Sequence, residues 1–153
     1  MAEEGDKAPD FELVGNDNKK HTLSEFKGKR VVVYFYPKDN TPGCTAEACS
    51  FRDSIKEVRS LGAEVIGISK DTIESHSKFS GKYSLNFLLL SDPNSKTIKA
   101  FGAYGSRGIF GFGTLRKTYV IGTDGKIERI FENIKPEEHA KKVIEYLKGF
   151  KKA

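Results

Sequence analysis

Cys44 is the residue of this chain whose surroundings point most directly to chemistry. It follows the apolar stretch 31–36 and the Pro/Gly-containing run 37–43, and this order predicts a strand, a turn and then a helix. The cysteine is thereby placed at a helix N-terminus, where backbone N–H groups and the helix dipole favour the nucleophilic thiolate. The only other cysteine is Cys49, five residues further on.

Length and composition predict a single domain, residues 1–153, with a core that needs no disulfide or metal support. The apolar stretches are much shorter than a membrane span, and the first six residues are acidic rather than basic. We therefore expect no membrane segment, no secretory signal and a cytoplasmic location. In a reducing compartment, two cysteines indicate redox activity rather than a structural disulfide.

The net charge of +5 raises the question of nucleic-acid binding. Several of the lysines, among them Lys141, Lys142 and Lys148, lie on a predicted terminal helix with an apolar stripe. Lysines in this arrangement are typical of a solvated helix face, and no nucleic-acid motif accompanies them. The sequence therefore predicts no nucleic-acid partner.

The elements that position Cys44 follow from the apolar periodicity and the turn residues. We expect a hairpin (11–14 and 20–23), a strand (31–36), a helix (42–61), a strand (63–69), a helix (71–83), a strand (87–90), a helix ending at 101, a glycine-rich loop (102–113), a second hairpin (118–121 and 127–131) and a last helix from Pro136. A β-α-β crossover implies parallel central strands, and the hairpins add antiparallel ones. This order predicts a thioredoxin-like three-layer α/β sandwich with a mixed central sheet and an N-terminal hairpin extension.

The cysteine-bearing helix has a clear geometry, with Thr41 as its predicted N-cap and Gly62 as its stop. At about 100° per residue, one stripe faces the sheet: Cys44, Ala48, Phe51, Ile55 and Val58. Cys49 lies about 140° from Cys44, and their Cα atoms are about 8.6 Å apart, beyond the limit of about 7 Å for a disulfide. The two can pair only if the first turns unwind, and Pro42 and Gly43 make that end weak.

These cysteines also have interpretations that involve no redox chemistry. A buried cysteine often only fills space, which on position alone describes Cys49 better than Cys44. Metal binding is not predicted, because the three histidines are far apart in sequence and Cys-x4-Cys lacks common zinc spacing.

Residues 37–44 read Pro-x-x-x-Thr-x-x-Cys, which resembles the active-site signature of the peroxiredoxins, the cysteine-dependent thiol peroxidases. Cys49, with Glu47 between, resembles the PrxQ (bacterioferritin comigratory protein) subgroup. Arg116, before the strand 118–121, resembles the family's strand-opening arginine, and residues 5–11 are similar to its N-terminal segment. The resemblance covers nearly the whole chain.

The resemblance implies a role for each matching residue. Cys44 is the expected peroxidatic cysteine and Cys49 the resolving cysteine. Thr41 and Arg116 are expected to hydrogen-bond the thiolate and the peroxide oxygens, while Pro37 shields the pocket from water. An arginine suits this task because its planar fork is permanently charged, although a strand-end arginine on the surface is the alternative for Arg116.

The resemblance also implies the reaction and its partners. Hydrogen peroxide or an organic hydroperoxide oxidises the thiolate to a sulfenic acid, which condenses with the second thiol to a disulfide. Thioredoxin or a related protein disulfide reductase then restores both thiols. No metal, haem or flavin cofactor is expected, and an intrachain resolving cysteine is compatible with a monomer.

The loop 105–113 is richer in glycine and aromatic residues than the subgroup leads one to expect. It is interpreted as a mobile loop whose aromatics pack onto the core; the alternative is a role in substrate access or reductase docking. Its glycines do not follow a strand and open a helix, so no nucleotide-binding fingerprint is predicted.

Two competing functions remain open on the sequence. A thiol–disulfide oxidoreductase shares the fold, but normally carries Cys-x-x-Cys rather than the Cys-x4-Cys of this chain. A redox-sensing binding module or a holdase chaperone would use the exposed loop and show no turnover with peroxide.

Overall fold

The computed structural model describes residues 2–151, with side chains described through residue 149. Its strands are β1 (Glu12–Gly15), β2 (Lys20–Thr22), β3 (Arg30–Phe35), β4 (Ala63–Ser69), β5 (Leu88–Ser91), β6 (Tyr104–Ser106), β7 (Phe112–Thr114), β8 (Lys117–Ile121) and β9 (Ile127–Phe131). Its α-helices are α1 (Pro42–Ser60), α2 (Ile73–Tyr83), α3 (Lys96–Phe101) and α4 (His139–Lys151). Within the described residues, no helix is both long and apolar enough to cross a bilayer.

Seven strands form one mixed sheet in the order β2-β1-β5-β4-β3-β8-β9. The central strands β3, β4 and β5 are parallel, as the crossovers through α1 and α2 require. The remaining neighbours are antiparallel, and the β1–β2 hairpin extends the sheet beside β5. The predicted thioredoxin-like sandwich with an N-terminal hairpin is confirmed.

The strand β3 explains why the sheet needs a layer on each side. Its side chains alternate between two separate apolar clusters, and residues 31–36 are all almost completely buried. Val32 and Tyr34 pack with α1, α2 and α4, whereas Val33 and Phe35 pack with α3 and the N-terminal segment. Each large side chain buried in this way contributes about 1.5–3 kcal/mol.

The pairing of β3 with β8 brings two distant parts of the chain to one edge of the sheet. Phe35, the last residue of β3, lies opposite Lys117, the first residue of β8. The segment that leaves β3 towards Cys44 therefore lies beside Arg116, which directly precedes β8.

Helix α1 occupies almost the predicted range and buries the predicted stripe, with Glu47 as an additional buried residue. Thr41 is at the N-cap position, but its hydroxyl makes no capping hydrogen bond to the helix. The hydroxyl instead donates to the Lys38 carbonyl at 2.8 Å, which closes the turn before the helix. The helix is followed by Gly62, whose φ of +82° is accessible to glycine at little cost.

The prediction of a loop over residues 102–113, with the aromatics of 105–113 packed onto the core, is wrong. The segment contains a two-stranded hairpin, β6–β7, that is separate from the main sheet. Its apolar side chains are exposed: Ile109 is 96% exposed, Phe110 75% and Phe112 74%. Gly108 and Gly111 have positive φ values and turn the chain at the tip, which directs these side chains away from the core.

The last helix begins slightly later than predicted. Pro136 opens a short 3-10 turn, Pro136–Glu138, and the α-helix starts at His139. This turn packs against α1, so that the start of the last helix lies close to the cysteine-bearing one.

Candidate active site

Cys44 lies in the first turn of α1 with its side chain turned towards the sheet. It is only 1% exposed and its thiol is free. The helix begins here because Pro42 suits the first helical position, where a backbone N–H has no partner in the helix. A sulfur atom in this position is held within the protein and beside the unpaired N–H groups of the helix start.

Arg116 links the thiol to a second buried side chain. Its Nη2 donates to Cys44 Sγ at 3.3 Å, and its Nη1 donates to Glu47 Oε1 at 2.6 Å. The Arg116 side chain is 20% exposed, so the guanidinium lies between the buried sulfur and the solvent. One guanidinium therefore holds its position through the carboxyl group and offers its charge to the sulfur.

Glu47 is a fully buried acid in this network. Burial raises the pKa of Glu47 to about 8, although the charge and the hydrogen bond of Arg116 act in the opposite direction. Its Oε2 has no hydrogen-bond partner and lies 3.6 Å from His139 Nδ1. The carboxyl group therefore keeps its proton near neutral pH, because burial disfavours its charged form more than Arg116 favours it.

His139 is buried on the far side of Glu47 and is neutral. Burial, together with the charge of Arg116, lowers the pKa of His139 to about 4, although the hydrogen bond to the Ile134 carbonyl acts in the opposite direction. The partners assign the tautomer: Nε2 donates to the Ile134 carbonyl at 3.1 Å, and Nδ1 accepts from the Thr118 hydroxyl at 3.0 Å. His139 therefore brings no positive charge to the site.

Thr41 and Pro37 lie on the segment that enters α1, and both are half-buried. Thr41 precedes Cys44 by less than one helical turn, and its carbonyl accepts the Thr45 N–H at 2.8 Å. Its hydroxyl donates to the Lys38 carbonyl, and within the described residues no hydrogen bond joins the hydroxyl to the Cys44 sulfur. The structure thus brings Arg116 into contact with Cys44 and leaves Thr41 beside it without a direct bond.

Cys49 is half-exposed on the flank of α1 and carries a free thiol. Arg52 lies close enough to interact with it electrostatically. The helix is continuous from Cys44 to Cys49, so that the two thiols belong to different faces.

Sequence reasoning did not assign Glu47 and His139 to the site. Glu47 left a signal, because it lies three residues after Cys44 and a carboxyl group on that side of the helix is buried only with a partner. His139 left none, since only the folded chain shows that Glu47 and Thr118 lie beside it.

A thioredoxin-like sheet that presents a buried cysteine at a helix N-terminus, in contact with an arginine, defines a thiol-based redox enzyme. Comparison with known proteins narrows this class. Residues 4–130 match the model of the AhpC/TSA family. A putative peroxiredoxin Bcp of Helicobacter pylori is 45% identical over 148 residues, which are 95% of this chain and 97% of the relative.

Solved structures agree with the sequence relatives. A crystal structure of PrxQ from Xylella fastidiosa superimposes with a TM-score of 0.94 at 30% identity and covers 99% of this chain and 98% of its own. The bacterioferritin comigratory protein of Xanthomonas campestris, studied for its alkyl peroxide reduction activity, gives a TM-score of 0.90 at 30% identity and covers 97% of this chain and 99% of its own.

The chain belongs to the AhpC/TSA family and, within it, to the Bcp/PrxQ group of peroxiredoxins. It is a thiol-dependent peroxidase, which reduces a peroxide with electrons from a thiol reductant. The function predicted from the resemblance is confirmed, and the thiol–disulfide oxidoreductase, sensor and chaperone alternatives are set aside.

Proposed function

We propose that Cys44 is the peroxidatic cysteine and that Arg116 is its principal electrostatic partner. The observation that carries this assignment is the 3.3 Å contact between Arg116 Nη2 and Cys44 Sγ. A thiolate at this position faces a fixed positive charge, whereas Cys49 is half-exposed on the flank of the helix. The nucleophile and the charge that stabilises it are thus held together before a substrate arrives.

The reaction begins with attack of the Cys44 thiolate on one oxygen of the peroxide. An S–O bond forms, the O–O bond breaks, and the departing oxygen leaves as an alkoxide or hydroxide that takes up a proton. The products are a cysteine sulfenic acid and an alcohol or water. Negative charge moves from sulfur to the departing oxygen during this step, and the Arg116 guanidinium has N–H groups to donate to both.

Thr41 and Pro37 are proposed to complete the pocket. Because the Thr41 hydroxyl donates to Lys38 at 2.8 Å in this structure, its proposed contact with peroxide requires the hydroxyl to act as an acceptor or to rotate. Pro37 has no backbone N–H to hydrate, and its half-buried ring beside Tyr36 is suited to excluding water from the sulfur.

Cys49 is proposed as the resolving cysteine. Its thiol condenses with the sulfenic acid, forming the S–S bond and releasing water. The continuous helix keeps the two sulfurs apart, so the first turns of α1 must unwind before this step. Thioredoxin or a related protein disulfide reductase is the proposed electron donor that reduces the disulfide.

The remaining features of the proposal concern substrate range and assembly. Hydrogen peroxide and organic hydroperoxides are the proposed substrates, in line with the alkyl peroxide activity named for the Xanthomonas campestris relative. A single domain over residues 1–153, a monomeric state and a cytoplasmic location remain predictions. The continuity of the sheet from β2 to β9 supports the single domain.

The test is peroxide-dependent NADPH consumption with thioredoxin and thioredoxin reductase, for the wild type, Cys44→Ser and Cys49→Ser. We expect both variants to lose turnover, and only Cys49→Ser to retain a stoichiometric burst of sulfenic acid. Turnover that survives in Cys44→Ser contradicts the assignment of the nucleophile. Full turnover in Cys49→Ser means that resolution comes from another thiol.

A further inference from the structure

A second buried polar cluster, separate from the contacts among Cys44, Arg116 and Glu47, holds the segment that enters α1. His76, on α2, is completely buried, and both of its ring nitrogens face acceptor oxygens. Its Nε2 lies 2.9 Å from the Leu90 carbonyl, and its Nδ1 lies 2.7 Å from Asp39 Oδ2. Nε2 therefore carries a proton, and a second proton must lie between Nδ1 and Oδ2. The contact with Asp39 is a charge-assisted hydrogen bond if that proton is on the histidine, and a hydrogen bond from a neutral carboxylic acid if it is on the aspartate.

Asp39 is the centre of this cluster and the only one of its acids that lies on the entering segment. Its Oδ1 accepts from the Tyr36 hydroxyl at 2.6 Å, and its Oδ2 also accepts from the Ser75 hydroxyl at 2.8 Å. Its backbone N–H donates to Asp71 Oδ2 at 2.8 Å. Backbone and side chain of one residue are thus both fixed from α2 and from the segment before it.

The next residue is held by α2 as well. Asn40 has a φ of +60°, and its Oδ1 accepts from Lys82 Nζ at 3.3 Å and from the Tyr83 hydroxyl at 3.2 Å. An open cleft of about 360 Å³ separates the segment from much of α2. Hydrogen bonds rather than close apolar packing therefore hold the segment at this place.

The anchored segment ends where a weak helix begins. Residues 39 and 40 are bound to α2, whereas Gly43, in the first turn of α1, is a poor helix former. The boundary between the two is the N-cap residue Thr41, three residues before Cys44. Unwinding of α1 from its N-terminus, which would carry Cys44 towards Cys49, starts at this boundary.

We propose that His76, through its bond to Asp39, is a positioning residue that fixes the entry into α1 and so sets how readily the first turns unwind for disulfide formation. This inference rests on the proposed role of Cys49. The step it governs is condensation of the Cys44 sulfenic acid with the Cys49 thiol, in which the S–S bond forms and water leaves. The competing step is a second peroxide oxidation of the sulfenic acid to a sulfinic acid.

Removal of the bond is tested with His76→Phe, which keeps a ring in the buried site but has no ring nitrogen. We expect the sulfenic acid to convert to disulfide about tenfold faster, since a buried charge-assisted bond is lost and the Asp39 carboxylate keeps only its bonds to Tyr36 and Ser75. At high peroxide concentration the yield of sulfinic acid falls correspondingly. Both species are counted by mass spectrometry after rapid quenching. The burst rate of sulfenic acid, measured in a Cys49→Ser background, stays within twofold.

Three further variants separate positioning from a general loss of stability. Asp39→Asn keeps a hydrogen bond to His76 but only a neutral one, and is expected to accelerate disulfide formation less than His76→Phe does. Ser75→Ala removes one smaller bond to Asp39 and is expected to accelerate disulfide formation less. Ile98→Val creates a small cavity on the other face of the sheet and is expected to leave the rate unchanged.

A readout that needs no peroxide keeps this inference distinct from the proposed function. Amide hydrogen exchange of the first hydrogen-bonded amides of α1, residues 45–48, in the reduced protein is expected to be about tenfold faster in His76→Phe, with no change in β4. Unchanged exchange and unchanged disulfide formation in His76→Phe overturn the inference, and so does equal acceleration in Ile98→Val. If peroxide is not reduced but the exchange changes as expected, the proposed function fails and the positioning by His76 stands.

Discussion

Gly43 lies directly against the guanidinium of Arg116: a methyl group on Gly43 would come within 3.1 Å of Arg116 Nη2. The same nitrogen donates to Cys44 Sγ at 3.3 Å. The glycine is therefore part of the geometry of the site, because its missing side chain leaves the space in which the guanidinium reaches the sulfur. Its φ is not in the left-handed region, so space rather than backbone conformation explains its presence.

Gly43→Ala is expected to push the guanidinium away from the sulfur and to lower the rate of sulfenic acid formation about tenfold. The folded state should not be weakened, since alanine is the better helix former by up to about 1 kcal/mol. Stopped-flow reaction with hydrogen peroxide and urea denaturation measure the two effects. Gly81→Ala on α2 is the matched control: its Cβ meets nothing within 4 Å, so stability should rise and the rate should stay the same.

Arg116→Lys is expected to reduce the rate of peroxide reduction about 100- to 1000-fold. A single ammonium group cannot hold both the Cys44 sulfur and Glu47 Oε1, which the guanidinium contacts through two separate nitrogens. Single-turnover kinetics in a Cys49→Ser background isolate this step. Arg107→Lys, on the exposed β6–β7 hairpin, should leave the rate unaltered, and a comparable loss in both variants contradicts the prediction.

Glu47→Gln is expected to change the pH dependence of the reaction. Because burial raises the pKa of Glu47 to about 8, the carboxyl group loses its proton as the pH rises through that value. Its negative charge then offsets that of Arg116 and weakens stabilisation of the thiolate. The ratio of the wild-type rate to the Glu47→Gln rate should therefore fall across pH 8. A constant ratio from pH 6 to about 9.5 would show that Glu47 does not titrate at the site.

The same group makes a prediction about stability. A folded-state pKa of about 8, above the ordinary 4.5, means that the folded protein binds this proton more tightly than the unfolded chain does. The resulting stabilisation is fully present below pH 4.5 and is lost as the pH rises through about 8. The free energy of unfolding of the wild type, relative to Glu47→Gln, should thus decrease over that interval. His139 is present in both proteins, so its own titration cancels to first order.

Two buried tyrosines are expected to respond in opposite ways to loss of their hydroxyl groups. Tyr34 Oη is buried without a hydrogen-bond partner, so Tyr34→Phe should raise the free energy of unfolding by about 1 kcal/mol. Tyr36 Oη donates to Asp39 at 2.6 Å, and Tyr36→Phe should lower it by about 1–3 kcal/mol. Urea denaturation compares the two, and destabilisation of both to the same extent would contradict the argument.

The local elements of the fold could be predicted because their signals are contained in short stretches of sequence. The continuous apolar run of β3 requires cover on both faces, and the stripe that includes Cys44 and Phe51 requires a sheet beneath it. The β6–β7 hairpin was missed, since three-residue strands rich in glycine carry no alternating pattern. The sequence also does not indicate whether the aromatic side chains of this hairpin point to the core or to the solvent.

The contacts within the site were harder to predict from the sequence than the identity of its residues. Nothing in their separation by 72 residues indicates that Arg116 touches Cys44, and only the family resemblance proposed it. The sharing of Arg116 with Glu47, and the position of His139 behind Glu47, depend on how α1, β8 and α4 pack together. Contacts among side chains from three elements arise from tertiary structure and leave no periodic pattern in the sequence.

The pairing of Phe35 with Lys117 also determines when, during synthesis, this protein acquires its reactivity. A nascent chain that has emerged only as far as α1 already carries both cysteines, but it does not yet contain Arg116. Its thiol therefore lacks the charge that favours the thiolate, and it reacts like that of any ordinary cysteine. Rapid reaction with peroxide is thus withheld until the C-terminal half joins the sheet, and it becomes a signature of the completed fold.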